Sequence, residues 1–454
     1  MTDKRESKYY HLSLGSNLGR RKDTLQHAIR LLAQRAGEIG RQSAFIETEP
    51  WGYASRLRFI NAVVTITSPL EPFELLAVTQ QIERELGRTP DHVGGGYTDR
   101  TIDIDLLTCD RRVIYSPTLR LPHPRMSQRD FIARCYEDMY GASPDRRPRV
   151  ATIGYFDGIH LGHKHLLNQC LELAKAEGVK PLTLTFDRHP RTVVDPSTTF
   201  VPKLCDSTTR RMGISNRQRA DFMFLEFTPE MAALSAREFM RLVLRDQLNV
   251  GTLLIGYNHR FGHPAMKPET FEDYERYGRE IGMRVLRATE LTSPRGTSSS
   301  AIRRALADGD VVTANAMLGR TYQLTANVVH GHELGRRLGF PTANLQPTDP
   351  EMMVPARGAY AAWIQIDKDP AMRLAMVNIG TRPTVDDSGH QTIEAHILDF
   401  GGDIYGADVS VYFMRCIRKE QRFGSEAELK HQLTLDRKAV RQVLTADGPA
   451  NLSL

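Results

Sequence analysis

The chain has 454 residues, which is too long for a single hydrophobic core and indicates roughly three domains. Hydrophobic residues make up 41% and charged residues 25%, ordinary globular values that exclude wholesale disorder and a fibrous repeat. The formal charge of +6 is spread over the whole length, and no basic run is interleaved with aromatic residues, so we expect no nucleic-acid partner.

The cysteines and the first residues predict a cytoplasmic protein without membrane contact. The five cysteines are far apart, form no C-x-x-C pair and are odd in number, which argues against a disulfide framework and against a zinc site. The start of the chain, MTDKRESKYY, lacks an apolar signal region, and no run of about eighteen apolar residues occurs. The sequence does not predict the oligomeric state.

The first third of the chain predicts alternating strands and helices. Residues 9–14, 59–66 and 102–108 are short apolar runs that we expect to be strands. Residues 20–36 and 74–86 carry apolar side chains at helical spacing. Strands that alternate with helices indicate a layered domain in which helices cover a sheet.

A stretch rich in Gly, Pro and Arg, at residues 141–149, predicts a linker after this domain. Beyond it, three apolar runs at 150–156, 181–186 and 250–256 are separated by helical segments. This alternation predicts a parallel, doubly wound sheet in an α/β domain.

From residue 313 the pattern changes to β-branched and aromatic runs separated by turns. Such runs predict a β-barrel, which the last helical stretch, after Ser425, closes. The predicted organisation is three domains, at residues 8–137, 149–307 and 313–445, with a linker at 138–148.

Two carboxylates lie two residues apart on the last predicted strand of the first domain. Asp103 and Asp105 therefore point to the same face, because side chains alternate along a strand. Mg²⁺ prefers carboxylates combined with substrate phosphates, so the pair predicts a magnesium site, with two solvated acids at a strand edge as the alternative. Nearby residues supply cationic donors for phosphates and a ring for stacking: Arg100, His123, Arg129 and Phe131.

Six segments of this domain, in order, resemble 6-hydroxymethyl-7,8-dihydropterin pyrophosphokinase of folate synthesis. They are LGSNLG (14–19), ETEPWG (47–52), FINAV (59–63), QQIERELGR (80–88), RTIDIDLL (100–107) and LPHPRMSQRDF (121–131). The resemblance implies an α+β ferredoxin-like fold and transfer of a pyrophosphoryl group from ATP to the pterin hydroxymethyl oxygen, which leaves AMP. The chain departs from the family pattern at Ile46 and Pro90, and after Phe131 we expect the family's terminal helix to be absent.

The resemblance also implies roles for individual residues. Asp103 and Asp105 would hold Mg²⁺ ions that bridge the ATP phosphates. The residues that would bind the ATP are Arg88, Arg100, His123 and Arg129 at the triphosphate and Gln80 and Glu83 on the nucleotide side, and Arg88 and Arg100 also count as catalytic. The residues that would bind the pterin are Phe59 and Phe131, which stack on it, and Thr48 and Asn61, which hydrogen-bond to it. An ordinary core position is the alternative for Phe59.

In the second domain, His160 and His163 stand three residues apart where a predicted strand gives way to a helix. Both rings would lie on one side of the first helical turn, beside free backbone N–H groups and the positive end of the helix dipole. This arrangement suits an ATP triphosphate. A metal site formed with His165 is the alternative, and it is disfavoured because no further anchoring motif of known spacing follows.

The run GYFDGIHLGH (154–163) resembles the HxGH signature of nucleotidyltransferases, in the form found in bacterial FAD synthetases. Further matches are TFDRHP (185–190), LSAREFM (234–240), GYNHRFG (256–262) and SSSAIRRAL (298–306), and without them another adenylyltransferase would be the main alternative. The resemblance implies that the FMN phosphate attacks the α-phosphorus of ATP and that pyrophosphate leaves. It also implies that His160 and His163 contact the phosphates and that Asp157 shapes the turn. Asn258 and Arg260 would help to hold the flavin and phosphate side, and Ser299 and Arg303 would stabilise the departing pyrophosphate.

In the third domain, GRRLGFPTANL (335–345) places Thr342 and Asn344 two residues apart on an extended segment, where they offer a hydroxyl and an amide oxygen to one cation. Glycines 331, 335 and 339 would let the backbone approach phosphates.

This P-T-A-N segment, together with those that follow it, resembles riboflavin kinase. The matching segments are GAYAAW (358–363), VNIGTRPT (377–384), TIEAHILDF (392–400) and IRKEQRF (417–423). The resemblance implies that Glu394 is the general base for the ribityl 5′-hydroxyl, with an exposed strand acid as the alternative. It also implies Mg²⁺ ligation by Thr342 and Asn344 and flavin contacts by Arg418 and Phe423.

These observations predict a multifunctional enzyme that uses ATP and Mg²⁺. Its expected reactions convert riboflavin to FMN, FMN to FAD, and hydroxymethyldihydropterin to its diphosphate, so its expected partners are these small molecules. Two alternatives remain from other classes: a flavin enzyme whose first domain is only a structural or assembly element, and a nucleic-acid-binding adaptor.

Overall fold

We describe the protein from a computed structural model. The structure describes residues 6–89, 98–194, 197, 200–218, 221–257, 261–262, 269–291, 296–330, 334–367, 369–381 and 391–447. The chain divides into two compact units, each formed from several segments. Unit 1 comprises Met1–Tyr155, Cys170–Pro196 and Ala220–Ala288, and unit 2 comprises Phe156–Gln169, Ser197–Arg219 and Thr289–Leu454.

Unit 1 contains a five-stranded antiparallel sheet near the start of the chain. Its strands are β1 (Lys8–Ser16), β2 (Glu38–Gln42), β3 (Ile46–Thr48), β4 (Phe59–Ser68) and β5 (Asp103–Cys109). The strand order is β2-β4-β1-β5, and β3 pairs with β4. The predicted strands of this region are thereby confirmed, whereas β2 and β3 were not predicted.

Helices cover both faces of this sheet, as alternating strand side chains allow. Helices α1 (Arg21–Arg35) and α2 (Pro72–Glu85) share one apolar core with Val64 of β4, and Val63 of the same strand packs on the opposite face against α3 (Asp130–Tyr140). The expectation that no helix follows Phe131 is therefore wrong. Helix α3 forms because Ile132, Cys135 and Met139 recur at helical spacing and are buried.

Unit 1 also contains a seven-stranded sheet. Its strands are β6 (Arg112–Tyr115), β7 (Arg120–Leu121), β8 (Arg149–Ile153), β9 (Pro181–Phe186), β10 (Asp221–Leu225), β11 (Val250–Ile255) and β12 (Arg284–Arg287). The order is β12-β11-β8-β9-β10-β6-β7, and every neighbouring pair is parallel except β6 and β7. The predicted parallel α/β sheet is confirmed, whereas the addition of β6 and β7 from the first predicted domain was not expected.

Helices alternate with these strands along the chain. They are α4 (Leu161–Ala176), α5 (Arg191–Val194), α6 (Ser207–Gln218), α7 (Pro229–Ala232), α8 (Ala236–Glu238) and α9 (Phe271–Ile281), and α8 continues into a π-helical segment at Phe239–Arg245. Helix α9 begins with a capping box, in which the side chains of Thr270 and Asp273 bond reciprocally to backbone N–H groups.

Unit 2 contains a closed antiparallel barrel, which confirms the predicted β-barrel. Its strands are β13 (Tyr322–Val329), β14 (Ala343–Pro347), β15 (Gly358–Ile366), β16 (Arg373–Thr381), β17 (Gln391–Ile397) and β18 (Asp408–Lys419), in the order β13-β14-β17-β16-β15-β18. The associated helices are α10 (Ser299–Ala307), α11 (Val311–Leu318), α12 (Leu334–Leu338) and α13 (Glu426–Asp447).

The period of two along β15 divides its side chains between two cores. Tyr360, Ala362 and Ile364 face the barrel interior with residues of α10 and α11, and Ala361 packs outside with Val440 of α13. Over the part of the chain that the structure describes, no helix is long and apolar enough to cross a membrane. All five cysteines are free thiols.

Candidate active sites

Unit 1 contains a cavity of about 460 Å³ beside β1, β4 and β5. Eight of the residues predicted for the pterin and ATP site line it: Thr48, Phe59, Asn61, Arg100, Asp103, Asp105, Arg129 and Phe131. The sequence segments that carry these residues are far apart, so the fold brings them to one place. A cavity of this size is typical of a site for a small molecule.

The two carboxylates lie side by side on β5, as the strand period predicts. In the pairing of β5 with β1, Asp103 is opposite Gly15 and Asp105 is opposite Ser13, whereas the intervening Ile104 is buried in the core. Each carboxylate meets an arginine: Asp103 lies 2.6 Å from Arg88 and 3.1 Å from Arg100, and Asp105 lies 2.7 Å from Arg129.

The electrostatic balance at this pair differs between the two carboxylates. Burial and the neighbouring Asp105 raise the pKa of Asp103, against the opposing effect of Arg100 and Arg88. Burial also acts on Asp105, but the charges of His123 and Arg129 outweigh it and lower the pKa of that carboxyl. Two adjacent carboxylates that need cationic partners fit Mg²⁺, which takes its remaining ligands from water and phosphates. Among the described residues, no group of three or more His, Cys, Asp or Glu side chains is arranged to hold a metal ion.

One end of the cavity is built by β1 and β4. The Asn61 amide donates to the Thr48 hydroxyl over 2.8 Å, which fixes the amide so that its carbonyl oxygen faces β1. A Cβ on Gly15 would lie 2.8 Å from that oxygen and 3.6 Å from the ring of Phe59. Only glycine at position 15 therefore leaves these side chains in place, which accounts for the first glycine of the LGSNLG segment.

The same segment positions the loop before β5. The side-chain oxygen of Asn17 accepts from the backbone N–H of Arg100 over 2.7 Å, and its amide nitrogen donates to Asp99 over 2.6 Å. Trp51 also lines the cavity, and the guanidinium groups of Arg125 and Arg129 lie 5.5 and 5.7 Å from its ring centre. The place of Trp51 at this cavity was not predicted, although its position inside ETEPWG was a usable signal.

The other residues predicted for this site lie outside the cavity lining. Glu83 is buried, which raises its pKa to about 7; it accepts from the backbone N–H of Ile104 over 2.7 Å and pairs with Arg88. His123 lines a separate cavity of about 400 Å³, and burial lowers its pKa. Gln80 is exposed on α2. Pro90 lies outside the described residues.

In unit 2, the HxGH turn opens helix α4. Phe156 and Ile159 have φ values of 55° and 44°, so two non-glycine residues adopt the left-handed conformation that is rare for them. Such strained turns are found where surrounding structure fixes a functional geometry. The rings of His160 and His163 stack with centroids 3.6 Å apart, which confirms that the i, i+3 spacing brings them together.

The protonation of His160 follows from its surroundings. Burial, the charge of Arg303 and that of Lys164 lower its pKa to about 4, so it is neutral at pH 7. The backbone N–H of His163 donates to Nδ1 of His160 over 3.2 Å, so the neutral ring carries its proton on Nε2. His160 can then donate one hydrogen bond from Nε2 to an anion.

The residues predicted around this turn are held by buried polar contacts. Asp157 pairs with Arg303 and accepts from the backbone N–H of Leu204 over 2.9 Å, and the Ser299 hydroxyl donates to the Asp157 carbonyl over 3.1 Å. These contacts join Arg303 and Ser299 of α10 to the turn that carries the histidines. Two further predicted residues, Asn258 and Arg260, lie outside the described residues.

The barrel brings the third predicted site together. Asn344 of β14 is directly opposite Glu394 of β17, and the Thr342 hydroxyl lies 3.4 Å from a Glu394 carboxylate oxygen. Thr342 also lines a cavity of about 310 Å³ between Pro341 and Tyr405. A Cβ on Gly335 would lie 2.3 Å from the Phe340 carbonyl, so this predicted glycine is required by the turn before P-T-A-N.

Arg418, near the end of β18, and Phe423, which follows that strand, lie together. The Arg418 guanidinium is 5.5 Å from the centre of the Phe423 ring, and its Nε donates over 2.9 Å to Asp436, which is buried on α13. The predicted Gly331 lies outside the described residues.

Comparisons with known proteins match three families along the chain. Family models match in succession: 7,8-dihydro-6-hydroxymethylpterin-pyrophosphokinase over residues 11–140, FAD synthetase over 142–302 and riboflavin kinase over 318–444. The bifunctional riboflavin kinase/FMN adenylyltransferase of Pseudomonas fluorescens is 34% identical over 303 residues, which are 67% of this chain and 95% of that protein. The protein of the same name from Escherichia coli K12 is 34% identical over 306 residues, which are 66% of this chain and 94% of that protein.

A solved structure, described as a macrolide-efflux protein from Streptococcus pneumoniae, has the same fold over 66% of this chain and 95% of its own, with a TM-score of 0.58 and 29% identity. A parallel α/β sheet with an HxGH turn, followed by a barrel with P-T-A-N beside a glutamate, defines a class of ATP-using nucleotidyltransferases joined to kinases. The chain belongs to the bifunctional riboflavin kinase/FMN adenylyltransferase family, and a pterin-pyrophosphokinase domain precedes that part.

Proposed function

We propose that this chain carries out three ATP-dependent reactions. Riboflavin and ATP give FMN and ADP, FMN and ATP give FAD and pyrophosphate, and 6-hydroxymethyl-7,8-dihydropterin and ATP give its diphosphate and AMP. We assign them to residues 313–445, 149–307 and 8–137, in that order. ATP is the shared co-substrate, and Mg²⁺ is the metal we propose at each phosphate site.

The observation that carries the kinase assignment is the placement of Glu394 beside Thr342 and Asn344. Glu394 would accept the proton of the ribityl 5′-hydroxyl as its oxygen attacks the γ-phosphorus of ATP, and ADP would leave. Thr342 and Asn344 would hold Mg²⁺, which neutralises charge on the phosphates. The Glu394 carboxylate lies 3.4 Å from the Thr342 hydroxyl, a proposed Mg²⁺ ligand. It is therefore near enough to accept a proton from a ribityl hydroxyl that meets the ATP phosphates there.

The adenylyl transfer would use the turn at the start of α4. An FMN phosphate oxygen forms a bond to the α-phosphorus of ATP, and the bond from that phosphorus to the departing pyrophosphate breaks. The neutral His160, with its proton on Nε2, would donate to a phosphate oxygen, and the backbone N–H groups at the helix start would add further donors.

The pterin reaction would use the cavity of unit 1. Phe59 and Phe131 would stack on the pterin, and the fixed amide of Asn61 would read its edge. Asp103 and Asp105 would hold Mg²⁺ in exchange for some of their arginine contacts. The arginines so released would meet the ATP phosphates, which are bidentate partners for guanidinium groups.

The test separates the two flavin reactions within one chain. Glu394→Gln keeps the size of the side chain but removes the base, so FMN formation from riboflavin is expected to fall by roughly 10² to 10⁴-fold. FAD formation from supplied FMN is expected to continue at the wild-type rate. The matched control is Glu426→Gln, an exposed glutamate at the start of α13, which should change neither rate.

Products are separated chromatographically after incubation with ATP and Mg²⁺. Loss of both flavin reactions in a folded Glu394→Gln protein would contradict the division of labour. Wild-type FMN formation in that variant would contradict the assignment of the base.

A further inference from the structure

Strand β6 contributes to two hydrophobic cores. Val113 and Tyr115 are buried among residues of β8 to β12 such as Leu225, whereas Ile114 between them is buried in the core of the first sheet. Side chains alternate along a strand, so its two faces serve different cores. The residues of β6 come from the segment assigned to the pterin reaction, yet half of them complete the core of the α/β sheet.

The backbone of β6 also completes the α/β sheet. It lies parallel to β10, where the Phe224 N–H donates to the Arg111 carbonyl over 2.8 Å and the Glu226 N–H donates to the Val113 carbonyl over 3.0 Å. Without β6, one side of β10 would be an edge with unpaired N–H and carbonyl groups, which favours aggregation.

Side-chain contacts reinforce this junction from both directions. Gln247, which is 6% exposed and belongs to the α/β part, donates from its amide to the Ile114 carbonyl over 2.9 Å and the Leu121 carbonyl over 2.7 Å. Arg112 pairs with Glu226 at the end of β10 and, over 2.8 Å, with Glu71 at the start of α2. Removing the buried Gln247 amide would leave the Ile114 and Leu121 carbonyls without this donor.

The segment predicted as a linker is hydrogen-bonded both to the part of the chain before it and to the part after it. The Arg146 guanidinium donates to the Ser127 carbonyl over 2.5 Å and to Asp130 over 2.6 Å, both before the linker. The Arg146 carbonyl accepts from the Asn249 side chain, on the α/β side, over 2.9 Å. A flexible tether would make neither set of contacts.

We infer that the pterin-pyrophosphokinase part and the parallel α/β sheet unfold as one cooperative unit, with β6 as the shared strand. The two parts lie within one compact unit of the chain. Parts that share a strand open together, because detaching β6 removes apolar contacts from both cores at once. A substitution in either core therefore lowers the stability of both. This inference does not depend on the proposed substrates, because its test uses none.

The test compares three Val→Ala substitutions at fully buried strand positions in the full-length chain. Val64 lies in the first-sheet core, Val250 lies in the α/β core, and Val113 is the β6 residue in that same core. Hydrogen exchange of the slowest amides is followed in low urea in two unmutated strands, β1 and β9. We expect each substitution to speed exchange in both strands by about tenfold, as one shared opening requires.

The result that would overturn the inference is a split response, in which Val64→Ala speeds exchange only in β1 and Val250→Ala only in β9. Such a split would mean two independent folding units that merely touch. If Val113→Ala does not fold, the pair Val64→Ala and Val250→Ala decides the question alone. An equal acceleration in both strands for that pair supports the inference without the β6 variant.

Discussion

Gly15→Ala tests how the pterin cavity is built. The added Cβ would lie 2.8 Å from the Asn61 side-chain oxygen, closer than carbon and oxygen atoms normally approach, and 3.6 Å from the Phe59 ring, which is ordinary contact. The Asn61 amide therefore has to move, because Gly15 lies on the backbone of β1, between β4 and β5. Since Asn61 also donates to Thr48, the shift disturbs both groups proposed to hydrogen-bond the pterin.

The expected loss follows from the hydrogen bond at stake. A misplaced buried hydrogen bond to substrate costs about 1 to 3 kcal/mol, which is a roughly 5- to 150-fold fall in kcat/KM for the pterin. The flavin reactions in the same chain provide an internal control, because their sites lie in other segments. Thermal unfolding should change little, since Asn61 yields toward the open cavity.

The assay is AMP formation at varied pterin concentration, measured in a double-mutant cycle. If Gly15→Ala acts through the amide, then in an Asn61→Ala background the added methyl group has nothing to displace and costs little more. Additive losses from Gly15→Ala and Asn61→Ala would refute the reasoning. So would a Gly15→Ala protein with wild-type kcat/KM for the pterin.

Three further outcomes are expected. Asp103→Asn with Asp105→Asn abolishes pterin-dependent AMP formation and leaves FMN formation unchanged, as product chromatography would show. His163→Ala lowers FAD formation by roughly a hundredfold while FMN accumulates, whereas His165→Ala on the same helix does not. Burial lowers the pKa of His11 from 6.5 to about 4. Between these pH values the His11 ring binds a proton in the unfolded chain but not in the native chain. The free energy of unfolding therefore falls by roughly 1 to 2 kcal/mol between pH 7 and pH 5 because of His11. Over the same pH range, the urea midpoint of His11→Gln should fall less than that of the wild-type protein.

The sequence predicted the sites better than it predicted how the parts join. The strand period alone placed Asp103 and Asp105 on one face, and the i, i+3 spacing brought His160 and His163 together. These are local regularities, so a single sequence reveals them. The motif segments then identified the long-range partners that the cavities gather.

The pairing of β6 with β10 had no comparable signal. Residues 112–115 are a run of four, too short for a period to be counted, and their partner strand lies more than a hundred residues later. The helix that contains Phe131 was missed for a different reason: its residues depart from the family pattern, although Ile132, Cys135 and Met139 recur at helical spacing. The role of Gly15 needed coordinates, since it depends on one contact with Asn61.

One chain is proposed to transfer a phosphoryl, an adenylyl and a pyrophosphoryl group, and each transfer leaves a different product from ATP. The most direct measurement supplies purified full-length protein with ATP and Mg²⁺ and then adds riboflavin, FMN or hydroxymethyldihydropterin separately. With riboflavin the protein should form ADP and then pyrophosphate, as the FMN made is adenylylated; with FMN it should form pyrophosphate without ADP, and AMP should form only with the pterin. A folded protein that forms FMN and FAD but no pterin-dependent AMP would contradict the claim, and would leave the first domain as a structural part of the flavin enzyme.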